Sequence, residues 1–234
     1  MRRRIFLLFA IVSLVGMLAI SGGTNKVFGQ SGTLNGHEYV DLGLPSGTKW
    51  AKCNIGAANE IDYGDYYAFA ETSQKGWEYT KGNYKVDKTI RTADSSYIDK
   101  DGFTHTFIGK DIFNIAGTLY DVATVKWGKG WRMPTKEQFD ELKNNCKWEW
   151  VSKNGYSYGY KVTGTNGNYI FLPAASYRDG HEGAIPVYVG HYWFSSIDTD
   201  NTNFAWYFYF DSDCHYERSY YRYRGQSVRP VCTQ

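Results

Sequence analysis

The 234-residue chain lacks a strong charge of either sign. Its 26 Lys and Arg residues and 24 Asp and Glu residues leave a formal net charge of +2. So small an imbalance gives no field that would attract nucleic acid, and the arginines near the C-terminus are interleaved with Asp and Glu. We therefore expect no nucleic-acid partner.

Metal-ligand spacing is also missing. The four cysteines form no C-x-x-C pair and the five histidines are scattered, so we expect no metal and no cofactor. In an exported chain Cys53, Cys146, Cys214 and Cys232 can form disulfides in three full pairings, and the sequence does not choose among them. Because Cys214 lies in a polar stretch, it is the cysteine that we expect to be a free thiol.

An apolar run long enough to cross a bilayer comfortably, about 20 residues, is absent from the N-terminus. The run from Ile5 to Ile20 is shorter, follows three arginines and precedes small residues, which is the order of a secretory signal. We expect residues 1–29 to be a signal peptide and the mature chain to be exported, either secreted or held at the bacterial cell surface. Membrane contact is then expected only through a retained N-terminal segment.

No Pro- or Ser-rich linker and no internal repeat divides the rest of the chain. We therefore expect a short linker over residues 30–36 and one domain over residues 37–234. An aromatic content of 18% and 25 glycines between short apolar runs favour many short strands. Residues 76–110 are charged and weakly periodic, which predicts a surface insertion with a hairpin at the sequence DKDG.

One segment has a clear helical pattern. Thr135 is placed as an N-cap with Gln138 as its capping-box partner, and Phe139, Leu142 and Cys146 follow at helical spacing. The pattern predicts a helix from about Lys136 to Asn145. A second helix is predicted in the sequence LYDVATVKWG.

Strands are predicted near the C-terminus. An Asn-Gly pair at residues 166–167 predicts a hairpin whose returning strand is Tyr169–Leu172. In NFAWYFYFDS, period-two alternation directs Phe204, Trp206, Phe208 and Phe210 to the core and leaves Ala205, Tyr207 and Tyr209 free to face solvent. The sequence QSVRPV is expected as the last strand, at an edge or ending at Pro230. Structural roles are expected for Arg132, Arg229, Trp50, Trp131, Trp193 and Trp206.

The stretch from Tyr209 to Val231 crowds tyrosines among short polar and charged residues. Tyrosine beside small polar groups is the composition of antibody binding loops, and clustered exposed aromatic residues mark interaction sites. Asp211 is expected in a turn, where its side chain bonds nearby backbone. The predicted ligand-binding face comprises Asp198, Asp200, Asn203, Tyr207, Tyr209, Asp213, His215, Tyr216, Ser219, Tyr220, Tyr221, Tyr223 and Arg224.

Several phrases, in order, resemble a known family. They are EYVDLGLPSGTKWAKCNIGA, YGDYYAFAET, GTLYDVATVKWGKGWRMPTKEQFDEL, FLPAASYRDG, YWFSS and GQSVRPV. The chain from about His37 to Cys232 resembles the Fibrobacter succinogenes major paralogous domain family, which is similar to the formylglycine-generating-enzyme and C-type-lectin-like group. The resemblance implies an α+β, C-type-lectin-like fold with a twisted antiparallel sheet, one or two helices and long irregular loops.

The resemblance also bears on the C-terminal stretch. Proteins of this kind are frequently targets of diversity-generating retroelements, which rewrite Asn codons to those for Tyr, Ser, Asp, His, Cys or Arg. The predicted face after Phe210 looks like such an outcome, whereas Glu217 and Gln226 are not reachable and would be fixed scaffold. The expected function is exported recognition of a protein or glycan on another cell, a host or a phage.

Two other functions stay open. The loops with which lectins of this fold coordinate calcium are not matched, and DTDNTN at residues 198–203 lacks the central Gly and terminal Glu of a calcium loop. Cys214 and Cys232 do not reproduce the close cysteine pair of the oxidase branch, so we expect no enzymatic activity. The alternatives are a structural subunit of a surface assembly, such as a fimbrial tip, and an extracellular enzyme of that oxidase-like branch.

Overall fold

A computed structural model describes residues 31–76, 78–86, 95–98, 104–107, 114–153, 155, 157–180, 188–201 and 203–233. In chain order its elements are β1 (Gly32–Leu34), β2 (His37–Asp41), β3 (Lys49–Ala51), β4 (Ser95–Ile98), β5 (Thr104–Phe107), α1 (Val122–Trp127), β6 (Trp131–Arg132), α2 (Lys136–Asn145), β7 (Lys147–Lys153), β8 (Ser157–Thr163), β9 (Tyr169–Pro173), β10 (Gly190–Ile197), β11 (Phe204–Phe210), β12 (His215–Tyr221) and β13 (Val231–Cys232), with a short 3-10 helix at Lys81–Asn83. Mostly antiparallel sheets with few helices make this an α+β structure, as expected.

A five-stranded sheet joins the two ends of the described chain in the order β1-β2-β3-β13-β6. The expectation of a linker over residues 30–36 was wrong, because β1 pairs with β2 from Gly32 to Leu34. The last strand, β13, is shorter than predicted and begins after Pro230. It lies between β3 and β6 rather than at an edge, which Pro230 permits because it precedes the strand.

Two three-stranded sheets, β7-β8-β9 and β10-β11-β12, contain the predicted C-terminal strands. The hairpin at Asn166–Gly167 is confirmed, with Gly167 at a φ of 86° that favours glycine. Strands β4 and β5 pair on either side of DKDG, whereas that turn itself lies outside the described residues. The predicted signal peptide, residues 1–29, also lies outside them.

Helix α2 has the predicted bounds for a local reason. The Thr135 hydroxyl accepts from the Gln138 backbone N–H, and the Gln138 side chain accepts from the Thr135 N–H. Phe139 and Leu142 are buried, and Cys146 packs beside them half-buried. The second predicted helix is α1, which begins after Asp121, whose carboxylate accepts from the backbone N–H groups of Ala123 and Thr124.

The core has two large clusters, one on each face of the β10-β11-β12 sheet. Trp193, Ala205 and Tyr207 belong to one cluster, while Phe194, Phe208 and helix α2 residues belong to the other. The expectation that Ala205 and Tyr207 could face solvent was therefore wrong. Both faces of β11 are covered because each core cluster packs on one side of this sheet.

Buried side chains tie these layers together. Trp50, Trp131 and Trp193 are buried as expected, and Trp206 packs half-buried against the second cluster. Arg229 is fully buried and bonded to backbone of two sheets, which confirms its structural role. All four cysteines are free thiols: Cys214 is exposed, Cys232 is buried, and Cys53 and Cys146 are half-buried.

Candidate functional site

The C-terminal half of the predicted face lies on one side of the β10-β11-β12 sheet. Strand pairing sets His191 beside Tyr209 and Tyr209 beside Tyr216, while Tyr207 pairs with Arg218 in the adjoining row. Since alternate residues of a strand share a face, Tyr216, Arg218 and Tyr220 stand on the same side of β12. The result is a patch of aromatic rings and guanidinium groups on a rigid support.

A concave pocket of about 480 Å³ opens on this side of the sheet. We call it the tyrosine–arginine pocket. It lies within the range of roughly 300–1,000 Å³ that is typical of small-ligand sites. Its lining residues are Tyr177, Val189, His191, Tyr207, Tyr209, Arg218, Ser219, Tyr220 and Arg224.

His191 lies among the rings that line the pocket. Its imidazole stacks on Tyr207 with ring centroids 4.8 Å apart and meets Tyr177 at 4.6 Å. Burial, followed by the charges of Arg224 and Arg218, lowers the pKa of His191 to about 3, so the ring is neutral at ordinary pH. The side chain is 4% exposed, yet its Nδ1 atom has no hydrogen-bond partner among the described residues.

An unpartnered buried nitrogen is costly to the folded state. Folding removes it from water without supplying a protein partner, at a cost of roughly 1–3 kcal/mol. Such atoms are rare in folded proteins, and each one calls for a physical reason. His191 Nδ1 is one of several such atoms among the described residues, and it is itself buried away from the pocket opening.

Two arginines hold fixed positions over tyrosine rings. Arg224 lies 3.6 Å from the ring centroid of Tyr220 and 4.5 Å from that of Tyr177, and its Nε donates to Asp179 Oδ2 at 2.8 Å. Arg218 lies 5.2 Å from the ring centroid of Tyr209. Stacking restricts the rotamers of both side chains, and the ion pair with Asp179 restricts those of Arg224 further, so less entropy is lost when a ligand binds.

The tyrosine hydroxyls beside the pocket are held in their neutral form. Burial raises the pKa of Tyr207 above its ordinary value. Burial also raises the pKa of Tyr209, whose hydroxyl donates to Asp211 Oδ2 at 2.9 Å. Both hydroxyls are therefore uncharged, and the Tyr209 oxygen, whose proton goes to Asp211, can accept one further hydrogen bond.

Five predicted site residues line the pocket: Tyr207, Tyr209, Ser219, Tyr220 and Arg224. Tyr216 lies beside them, with its ring centroid 5.1 Å from that of Tyr209. The structure thus brings together predicted residues from β11, from β12 and from the segment that follows β12.

Two other predicted residues have structural surroundings instead. Asp198 is buried, and its carboxylate accepts from the Ser219 hydroxyl at 2.6 Å and from the Asp200 N–H at 2.9 Å. His215 lies on the opposite side of the sheet, stacked on Trp148 with centroids 4.8 Å apart. Strand alternation explains this position, because His215 pairs with Phe210 on the core-facing side.

The remaining predicted residues lie outside the tyrosine–arginine pocket. Asn203, Tyr221 and Tyr223 line a second, smaller cleft of about 190 Å³ together with Lys81, Tyr84 and Arg222. Asp200 is exposed in the β10–β11 connection. Asp213 is exposed in the β11–β12 turn, where Asp211 Oδ1 accepts from the Asp213 and Cys214 N–H groups, as a turn aspartate was expected to do.

The sequence prediction missed Tyr177, Val189, His191 and Arg218. Arg218 was detectable, because it alternates with Tyr216 and Tyr220 on one strand. No local sequence pattern indicates the other three residues. Pairing of β10 with β11 and a backbone bridge between Arg178 and Gly225 place them beside the pocket.

Comparison with known proteins adds no further constraint. No family model matches the chain, no curated protein matches it, and no solved structure matches it. Within the described ranges, no group of three or more His, Cys, Asp or Glu side chains is arranged to hold a metal ion. Over the same ranges, no helix has the length and apolar character needed to span a membrane.

Proposed function

We propose that this protein is an exported ligand-recognition module that binds a protein or a glycan at the tyrosine–arginine pocket. The observation that carries the proposal is the meeting of tyrosines, two arginines and His191 at one concave surface. Tyrosine and arginine are the residues that dominate binding energy at interfaces. The β10-β11-β12 sheet supports them from a packed core, so the surface is preorganised.

The proposed fold is C-type-lectin-like, and the proposed family is the Fibrobacter succinogenes major paralogous domain family. Two features support the proposal. The WRMPT phrase leads directly into α2 through the Thr135 capping box, and the arginine of SVRP is the buried Arg229. Both therefore behave as scaffold motifs rather than as surface motifs.

Diversification of the C-terminal codons is part of the proposal. The reachable residues Tyr216 and Tyr220 lie on the partly exposed strand β12. The residues expected to be fixed have scaffold contacts: Glu217 accepts from Lys143 of α2 at 2.6 Å, and Gln226 is fully buried. Tyr216 and Tyr220 support a variable binding surface, although the reachable His215 lies on the anchored side, stacked on Trp148.

The proposal is of binding without catalysis. In the oxidase-like alternative Cys214 and Cys232 would act as a reactive pair. Cys232 is fully buried in the middle of the five-stranded sheet, and burial raises its pKa to about 11. A thiol in that setting carries little thiolate at neutral pH, which does not favour a nucleophilic role.

Binding to arrayed glycans and surface proteins tests the proposed function. The Tyr216→Ala, Tyr220→Ala double variant should lose at least tenfold in affinity for each specific ligand, because both rings belong to the surface. Tyr169→Ala is the matched control, since Tyr169 is an exposed tyrosine on β9. Its affinity should equal that of the wild type.

Thermal unfolding completes the experiment. The double variant should remain folded with a moderately lower melting temperature than the wild type, because Tyr220 packs partly buried against the first core cluster. Unchanged affinity in the folded double variant would refute the pocket as the binding site. A large fall in melting temperature would identify these rings as core instead.

A further inference from the structure

The outer edge of strand β12 has no neighbouring strand among the described residues. In the sheet order β10-β11-β12, this seven-residue strand pairs only with β11. No backbone hydrogen bond joins residues 215–219 to another segment that the structure describes. The backbone donors and acceptors along this edge can therefore pair with a further strand.

The alternation of hydrogen bonds identifies the residues that carry those groups. In an antiparallel pair, residues that exchange backbone bonds alternate with residues that do not. At one end of the β11–β12 hairpin the Asp211 N–H donates to the Cys214 carbonyl, and at the other end the Arg222 N–H donates to the Asn203 carbonyl. The even-numbered residues of β12 therefore bond to β11. The residues that direct their backbone groups outward are His215, Glu217, Ser219 and Tyr221.

This edge lacks the usual features that keep an exposed strand from pairing. Proteins protect such edges with lysine, proline, a bulge or an inward charge. Strand β12 contains no lysine and no proline, and its register with β11 is uninterrupted. Its Glu217 carboxylate accepts from Lys143 of α2 at 2.6 Å, and its Arg218 guanidinium lies 5.0 Å from the ring centroid of Tyr216. Both charges therefore lie against the faces of the sheet and do not block its edge.

A second copy of this chain fits the edge in one register. A two-fold axis normal to the sheet pairs β12 antiparallel with itself and keeps both copies of each face on the same side. Only pairings centred on Glu217, Arg218 or Ser219 overlap at least five residues of each strand. The first opposes two glutamates and the second opposes two arginines, and like charges directly opposite each other destabilise a strand pair. The pairing centred on Ser219 opposes no like charges.

We propose that two copies of this protein associate by antiparallel pairing of their β12 strands, centred on Ser219, into one continuous sheet. In this register Arg218 lies opposite the partner's Tyr220. Glu217 lies opposite the partner's Tyr221, whose hydroxyl can donate to the carboxylate. The outward residues exchange about six backbone hydrogen bonds. This inference goes beyond the proposed function, because the association needs no ligand.

The dimer would present two binding surfaces on one side. A two-fold axis normal to a sheet preserves its faces, so both tyrosine–arginine pockets face the same way. Two pockets that face one ligand-bearing surface bind it together, which raises the avidity without any new contact. Because backbone bonds hold the pair, most changes of side chain on β12 leave the association intact.

Sedimentation equilibrium of the mature chain at neutral pH tests this proposal. An edge contact is small, so the dimer should be weak but populated at about 100 μM. Ser219→Pro removes the central outward N–H without removing a bond to β11, and it should abolish the dimer. Ser219→Ala loses the same hydroxyl bond to Asp198 but keeps the N–H, so it should dimerise like the wild type. Ser152→Pro makes the matched change on β7, another edge strand, and should also leave the dimer intact.

A charge exchange tests the register independently of proline. Tyr220→Arg brings an arginine opposite the partner's Arg218 and should weaken dimerisation about tenfold or more. Adding Arg218→Glu makes each of these pairs one of opposite charges, so the double variant should dimerise again. If Ser219→Pro does not fold, this exchange decides the outcome.

A wild-type chain that sediments as a monomer at about 100 μM would overturn the proposal. Dimerisation of a folded Ser219→Pro variant at the wild-type level would overturn it as well. A double variant that stays as weak as Tyr220→Arg alone would overturn the register centred on Ser219. The proposed recognition function is decided separately, by whether array ligands depend on Tyr216 and Tyr220, because a monomer carries a complete pocket.

Discussion

Replacement of Arg229 by methionine should be among the most destabilising single changes in this protein. The guanidinium is fully buried, with Nε donating to Asn54 Oδ1 at 2.8 Å and Nη2 donating to the Phe171 carbonyl at 2.8 Å. Nη1 donates to the carbonyls of Ala51 at 3.0 Å and Lys52 at 2.7 Å. One side chain therefore bonds the end of β3, the loop that follows it and strand β9.

The magnitude follows from these four acceptors. Methionine approximates the length of arginine but donates no hydrogen bond, so all four acceptors lose their donor. Each orphaned buried acceptor costs about 1–3 kcal/mol, and relief from burying a charge offsets part of the sum. We expect Arg229→Met to lower the free energy of unfolding by about 3–4 kcal/mol.

Urea unfolding followed by tryptophan fluorescence measures this change, because Trp50, Trp131 and Trp193 are buried in the folded state. Arg229→Lys should be destabilised by a smaller amount, since lysine has three donors but cannot span the planar fork. Lys129→Met, at an exposed position, should stay within about 0.5 kcal/mol of the wild type. Wild-type stability in Arg229→Met would refute the assignment of Arg229 as the tie between the sheets.

Two further predictions concern buried polar groups. Asp121→Ala should lower the free energy of unfolding by about 3 kcal/mol, because the Asp121 carboxylate accepts from the N–H groups of Gly117, Ala123 and Met133. Asp121→Asn should lower it less. A loss below about 1 kcal/mol for Asp121→Ala, measured by urea unfolding, would contradict this prediction. Burial and the two arginines lower the pKa of His191 from 6.5 to about 3. Below pH 6.5 the unfolded chain therefore binds a proton on His191 that the folded protein does not. The free energy of unfolding should fall by up to about 1.4 kcal/mol per pH unit as the pH falls from 6.5 toward 3. The free energy of unfolding of His191→Phe should therefore depend less on pH than that of the wild type between pH 6.5 and 4.5, and parallel pH profiles would show that His191 is not the group responsible.

Short-range patterns predicted the elements whose stability is local. Helix α2 has its predicted bounds because Thr135 and Gln138 satisfy the first backbone donors of the helix wherever it packs. The hairpin at Asn166–Gly167 forms because its turn needs a residue at positive φ. Period-two alternation likewise identified β11 and its bounds.

The orientation of a strand's faces was not predictable in the same way. Alternation in β11 correctly separated Phe208 and Phe210 from Tyr207, but it could not say that both sides would be covered. That depends on what packs on each side of the sheet: helix α2 covers Phe208 through Phe139, and the cluster around Trp193 covers the other side. Of the residues that composition predicted for a binding face, Tyr209 and Tyr220 line the pocket, whereas His215 lies on the opposite side of the sheet and Asp198 is buried.

The sequence by itself determined the many short strands, helix α2, the structural role of Arg229 and the concentration of tyrosine and arginine near the C-terminus. Only the tertiary structure decided which of those tyrosines share a pocket and that His191 stands among them. The physical reason is that strand parity and capping act over a few residues of one chain segment. A pocket is formed by residues from strands and loops that are distant in sequence, and their pairing register is set by the packing of the whole core.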